Sequence, residues 1–323
     1  MRKLLKAALL SVFVLCQPLA GAQASYPERP ITFVVPYPPG GPADLIARTV
    51  ANKMSELAKQ SIVVENKSGA SGNIAGDYVA RADKDGYTLM FGSSPVLVIN
   101  PSLYKNLNFD PLKDYQPISD FGSLPNAVLV NSSLPVDTLD ELIAYAKTHD
   151  TSFASAGSGG TTHLSGLLFA QSTGLNSLIH VPYRGSAPAL QALLANQVTM
   201  TFTDVYTAYP FLKSGQLKIL GVTSAERSEL LPEVKTLREQ GLADIDVSVF
   251  FALVAPKGIP REATDKLASL SRQVLADEEI RTQLKSRGLS IPANPGPEDL
   301  HRRMVKETEV WRQLIKSTHA AID

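Results

Sequence analysis

Apolar positions along the chain alternate between two rhythms. Residues 31–35 are a short β-branched and aromatic run, the pattern of a buried strand, and the segment behind them places Ile46, Val50, Met54 and Leu57 on one helical face. The same strand-then-helix pairing returns at 62–65 with a helix from about Asn73, and at 87–91 with a helix over 95–104. It appears again at 152–155 with 162–172, at 179–181 with 186–195, and at 198–203 with 206–213. Repeated units of this kind predict an α/β fold in which mostly parallel sheets are covered by helices. Thr138 and Glu141 stand at capping-box spacing and mark a further helix start.

Residues 117–130 read as extended connecting chain and 247–255 as a return crossing. After the return, 262–275, 278–287 and 297–315 carry amphipathic helical period. The two crossings divide the chain into one lobe of residues 25–124 and 248–323 and a second lobe of residues 125–247. No exact internal repeat is visible.

Residues 1–24 differ in kind. Arg2, Lys3 and Lys6 precede an apolar run from Ala7 to Leu15, and Ala22, Gln23 and Ala24 supply a small-residue cleavage position, which is the layout of a secretory signal peptide cut after Ala24. The run is too short to span a bilayer, and Gln17, Pro18 and Gly21 interrupt it. Cys16 offers the rival reading of a lipid anchor, but bulky Leu15 stands before it where such signals want a small residue. Removing the leader leaves 28 basic against 31 acidic residues and no cysteine, so the exported chain carries a net charge of about −3. That balance gives no positive field for nucleic acid or an anionic membrane. At 44% hydrophobic residues the chain builds its core without disulfides.

Two glycine-rich loops carry the chemistry. In residues 36–44, P-Y-P-P-G-G-P-A-D, Pro42 suits a first helical turn, while Gly40 and Gly41 let backbone approach a ligand. The N–H groups of a helix N-terminus favour an anion there. A tight turn with no ligand uses the same residues, so both readings stay open. Residues 155–163, S-A-G-S-G-G-T-T-H, repeat the design and add the hydroxyls of Ser158, Thr161 and Thr162. His163 reads as a hydrogen-bonding residue of this loop.

Neither loop accompanies a lysine cluster or matches the P-loop pattern, and Thr162 replaces the last glycine of G-x-G-x-x-G. A carboxylate therefore fits better than a triphosphate. Ala156 stands where G-x-S-x-G requires glycine, and Ser71 between Gly69 and Gly72 fails the same test. The five histidines, His149, His163, His180, His301 and His319, include no i,i+4 pair and no H-E-x-x-H. No catalytic set, metal site or cofactor motif results.

A third strand-to-helix junction, residues 180–186, offers Tyr183 and Arg184. The arginine either pairs with a second carboxylate or is solvated surface. Ser93 and Ser94 follow one strand and Asp204 another, at the carboxyl ends where α/β proteins hold ligands. Asp204 suits an ammonium group or caps the next helix.

Six segments taken in order carry a resemblance. They are residues 36–44, 63–72 (V-V-E-N-K-S-G-A-S-G), 85–89 (D-G-Y-T-L), 154–164 (A-S-A-G-S-G-G-T-T-H-L), 180–188 (H-V-P-Y-R-G-S-A-P) and 221–228 (G-V-T-S-A-E-R-S). Together they resemble the Bug family, the TctC-like extracytoplasmic solute receptors of tripartite tricarboxylate transporters, over essentially the whole chain after the leader. The resemblance implies a two-lobed periplasmic binding protein, type II-like, with the ligand cleft between the lobes. It implies a periplasmic monomer that captures a small organic carboxylate, performs no chemistry on it and delivers it to membrane permease subunits. A sensory receptor presenting the same ligand to a signalling partner is the alternative.

By resemblance the carboxylate is held by Tyr37, Gly40 and Gly41 on one side and by Ser158, Gly159, Thr161, Thr162 and His163 on the other, while Asp44 orders the first loop. The chain departs from its relatives at Ser165-Gly166-Leu167-Leu168, where a glutamate is common, and at Phe202-Thr203-Asp204, where Phe-Asp-Asn is common. The far end of the ligand is thereby left open among di- and tricarboxylates, aromatic acids and acidic amino acids.

Overall fold

A computed structural model describes residues 26–243 and 245–318. The leader, with Cys16 and the cleavage position after Ala24, lies outside the described residues, as does His319. In chain order the elements are β1 (Ile31–Val35), α1 (Pro42–Ala58), β2 (Ile62–Asn66), α2 (Asn73–Ala80), β3 (Thr88–Ser93), α3 (Asn100–Leu103), α4 (Pro111–Asp114) and β4 (Tyr115–Asn131). There follow α5 (Leu139–Ala146), β5 (Ser152–Ser155), α6 (Thr161–Thr173), β6 (Ile179–Pro182), α7 (Ser186–Leu194), β7 (Met200–Asp204), α8 (Val205–Lys213) and β8 (Leu217–Val222). The chain returns through β9 (Ser248–Pro256) and ends in α9 (Arg261–Ala276), α10 (Glu278–Lys285) and α11 (Pro297–Thr318). A five-residue π turn, Pro95–Ile99, links β3 to α3.

The parallel pairings fall in the βα units: β1 pairs with β2 and β3, and β5 with β6 and β7. The centre departs from a parallel sheet, because β9 runs antiparallel beside both β3 and β4, and β4 runs antiparallel to β7 and β8. The stretch expected to be connecting chain is the 17-residue β4. Its first part pairs with β9 and its last part sits between β7 and β8, so one strand serves both halves.

Strand order is β2-β1-β3-β9-β4 in the first half and β6-β5-β7-β4-β8 in the second. The topology repeats where the sequence does not. β8 and the short α4 were not legible in the hydrophobic pattern.

Register shifts explain how β4 tolerates Pro117 and then turns at Gly122. Proline cannot donate to the ladder, and the register shifts between Pro117 and Ser119 and again between Asp120 and Gly122, where φ at Gly122 is +110°. Asp120, almost fully buried, takes a hydrogen bond from Gly122 N–H at 2.8 Å and an ion pair from Arg303 of α11 at 2.8 Å. Arg303 also binds Glu307 and lies 4.3 Å over the Phe250 ring, so α11 braces the crossing point.

One apolar cluster, containing Val34, Met90, Leu103, Phe153, Leu164, Phe202, Phe250 and Trp311, runs through both halves. A second packs α1, α9 and α10 on the first half, and a third packs α7 and α8 on the second.

Candidate functional site

The junction of β1 and α1 is built around Asp44. Gly40 adopts φ +85°, and Gly41 caps α1 in an extended conformation (φ −80°, ψ 170°) with Pro42 in the first turn. Asp44 is 2% exposed. It accepts the Gly40 N–H at 2.9 Å and Asn66 Nδ2 at 2.9 Å, and Arg48 reaches both its oxygens at 3.1 and 3.0 Å. Burial alone would push this carboxyl up, but the hydrogen bonds from Arg48, Gly40 and Asn66 outweigh it and hold the group below the ordinary carboxylate range. Asp44 therefore orders the loop, and the N–H of Gly40, a residue that the resemblance placed against the carboxylate, is already taken. Asn66 Nδ2 also donates to Tyr37 O at 3.0 Å. The Tyr37 hydroxyl meets Ser93 Oγ at 2.8 Å, and burial pushes the phenol up to about 12, so it stays protonated.

The junction of β5 and α6 has the same backbone. Gly159 adopts φ +79° and Gly160 caps α6 with φ −76° and ψ 168°. Its N–H donor goes to the third helical residue again: Gly159 N–H to His163 Nδ1 at 3.1 Å. With Nδ1 accepting, the imidazole proton sits on Nε2. Ala156 N–H donates to Thr162 Oγ1 at 3.0 Å, so that hydroxyl ties the loop together. His163 stacks on His180 at 4.0 Å, and His180 meets Ser155 Oγ at 2.7 Å and the Phe153 ring at 4.8 Å. Burial, with His180 adding repulsion, lowers His163 to about 4, and burial alone lowers His180 to about 4. Both rings are neutral at pH 7.

Seven backbone donors remain unsatisfied at the two helix starts, three before and within the first turn of α1, where Pro42 has none to offer, and four at α6. Among the described residues no acceptor is present for the N–H groups of Gly41, Ala43 and Asp44, or for those of Gly160, Thr161, Thr162 and His163. Two helix N-termini thus present donors and partial positive charge without a fixed cation, since Arg48 is spent on Asp44. The loops border one space. Pro36 lies against Gly72, and Ser71 Oγ donates to Ser158 O across the gap at 3.4 Å.

The remaining candidates divide. Ser93 is bound to Tyr37, and Ser94 Oγ accepts the Phe250 N–H at 2.9 Å, bracing β9. Tyr183 donates its N–H to Ser155 O at 3.0 Å and packs in the second-half core. Arg184 is exposed and has no hydrogen-bond or ion-pair partner among the described residues. Of the two readings of Asp204, the hydrogen bonds fit the helix cap. One of its oxygens accepts Thr207 N–H and Oγ1 and the other accepts Ser186 Oγ, so it caps α8 and joins it to α7. Among the described residues no group of three or more His, Cys, Asp or Glu could hold a metal.

A model of the tripartite tricarboxylate transporter family receptor, TctC, matches residues 46–319. The chain belongs to the TctC family. A UPF0065 protein from the tcbD-tcbE intergenic region of Pseudomonas sp. (strain P51) is 36% identical over 294 residues, 90% of this chain and 87% of that protein. Rpa4515 of R. palustris, solved with adipate, superposes with a TM-score of 0.86 at 33% identity, covering 91% of this chain and 99% of that one. MatC from Rhodopseudomonas palustris, solved with bound malate, gives 0.83 at 31% identity over 90% and 100%. This TctC receptor is a solute-binding receptor of the periplasmic binding protein class and not an enzyme. No helix among its described residues is long and apolar enough to cross a membrane.

Sequence reasoning missed several TctC-receptor residues that shape the gap, Asn100, Leu103 and Tyr104 on one wall, and gave no role to His180, which opens the third junction and lies beneath the second loop. Their contacts join distant parts of the chain. The one local signal was the pair of glycines around Ala70 and Ser71, which marks unusual backbone.

Proposed function

We propose that this receptor captures a small organic carboxylate between the N-termini of α1 and α6 and delivers it to a tripartite tricarboxylate-type permease. The observation that carries the reading is the matched pair of glycine-gated helix starts, each with free N–H donors beside neutral polar side chains. A carboxylate needs such donors, and opposite helix dipoles stabilise its charge without a lysine. Adipate and malate in the two related structures support the ligand class.

In this reading Gly41, Thr161 and His163 Nε2–H contact the anion directly, with Tyr37 and Ser93 forming the first wall and Ser158 and Gly159 the second. Gly40, Asp44 and Thr162 hold the loops in shape. Arg184, exposed and unpaired, meets a second carboxylate on a longer ligand, and Tyr183 positions it. The chain is exported as a monomer, with residues 1–24 removed.

Calorimetry and thermal unfolding of the protein starting at Ser25, with adipate, malate and a wider set of mono-, di- and tricarboxylates, test this. One-to-one binding is expected, with about 2.7 kcal/mol of added stability at a ligand concentration a hundredfold above Kd. Stabilisation by a neutral sugar and by no carboxylate would overturn it.

A further inference from the structure

Four successive residues between β2 and α2 lie in the left-handed region: Gly69, Ala70, Ser71 and Gly72, with φ of +134°, +46°, +54° and +92°. Glycine adopts such backbone freely, but Ala70 and Ser71 do so at a cost that the surroundings must offset. The offsetting bonds come from the first half itself. Asn100 Nδ2 donates to Ser71 O at 3.0 Å, the Tyr104 hydroxyl donates to Ser71 Oγ at 3.0 Å, and Gly72 N–H closes back on Gly69 O at 2.9 Å. Held this way, Ser71 Oγ is aimed at Ser158 O of the second loop.

Beside it, Leu103 is fully buried against Gly159, so closely that a Cβ on that glycine would stand 2.0 Å from Leu103 Cδ2. Gly159 is thus required twice, for its φ of +79° and for the approach of Leu103. Neither contact involves the free N–H groups assigned to the ligand.

We infer that the strained segment 69–72, with Leu103 and Tyr104, is a latch that grips the second loop from the first half of the molecule. Leu103 and Ser71 are positioning residues: they touch no ligand, yet they fix how closely the two helix starts approach and so contribute to affinity. The contribution to affinity rests on the carboxylate reading, whereas the grip itself does not.

The test places spin labels at Val63→Cys and Ile179→Cys, exposed positions on the edge strands β2 and β6, in protein starting at Ser25, which has no other cysteine. Distances are measured by pulsed electron paramagnetic resonance without ligand, and affinity for adipate and malate by calorimetry. Leu103→Ala is expected to lengthen and broaden the ligand-free distance and to weaken binding by about tenfold, and Ser71→Ala to do the same by about threefold. Gly159→Ala should also lengthen the distance, and adding Leu103→Ala to it should recover part of the change. If Leu103→Ala does not fold, Ser71→Ala and Gly159→Ala decide. Unchanged ligand-free distances in the folded variants would overturn the latch. Altered distances in a protein that binds no carboxylate would keep the latch and overturn the ligand reading.

Discussion

The loop after β1 and the loop after β5 have nearly the same backbone and different locks. In each, a left-handed glycine (Gly40, Gly159) precedes an extended glycine cap (Gly41, Gly160), and the glycine N–H is accepted by the third helical side chain. The first lock is a carboxylate kept charged by Arg48 and Asn66, and the second is an imidazole kept neutral by burial against His180. The cradle therefore demands an acceptor at that position but not a particular one. What the two locks share is that neither delivers net charge to the space between the loops. Asp44 is cancelled by Arg48, and His163 carries none.

Acid separates the two locks most strongly. Burial lowers His163 and His180 from the ordinary 6.5 to about 4, so below pH 6.5 the unfolded chain takes up protons that the folded chain does not. Stability is whole above pH 6.5 and is lost as pH falls through about 4. For the pair the loss is about 4 kcal/mol, discounted from the full shifts because both rings are only half-buried. Urea unfolding between pH 7 and 4, compared with His163→Gln plus His180→Gln, measures it. Equal slopes in the two proteins would mean that the imidazoles are not the acid-sensitive lock.

Asp44→Ala is next in size. It strands the Gly40 and Asn66 donors and the Arg48 charge, for about 3 kcal/mol, at the low end of the range for a broken buried pair because Arg48 is half-exposed. Chemical denaturation at pH 7 reads the loss. A value below about 1 kcal/mol would show that the first loop holds its shape without the carboxylate.

The smallest expected effect sharpens the comparison. His163→Asp gives the second loop the acceptor of the first without its arginine, so the fold should tolerate it while an uncancelled negative charge enters the site. Carboxylate affinity should fall by roughly 30-fold, about 2 kcal/mol, by calorimetry. Unaltered affinity would move the ligand away from the second loop.

Much of the fold was legible because local rules acted alone. The βα units followed from hydrophobic period, and the start of α5 followed from Thr138 and Glu141, whose side chains do bond reciprocally to each other's backbone. β4 was misread because Pro117, Pro125 and Gly122 look like loop punctuation until β9, more than a hundred residues later, supplies the ladder. Asp204 was ambiguous for another reason. An aspartate ending a strand before a helix has the same local sequence whether it caps or binds, and only Ser186 and Thr207 decide. The two loops gave away their glycines but not their equivalence, since Asp44 and His163 share a geometric role and no chemical likeness.

The path of β4 also governs the order in which the molecule becomes complete as it is synthesised. The first part of that strand, Tyr115 to Pro125, pairs along its length with β9, and β3 needs the same neighbour on its open side. A nascent chain that has not yet reached Ser248 therefore carries two unsatisfied strand edges and lacks α11, which braces Asp120. The half of the molecule made first is the half finished last, and its native topology waits on the C-terminal quarter of the chain.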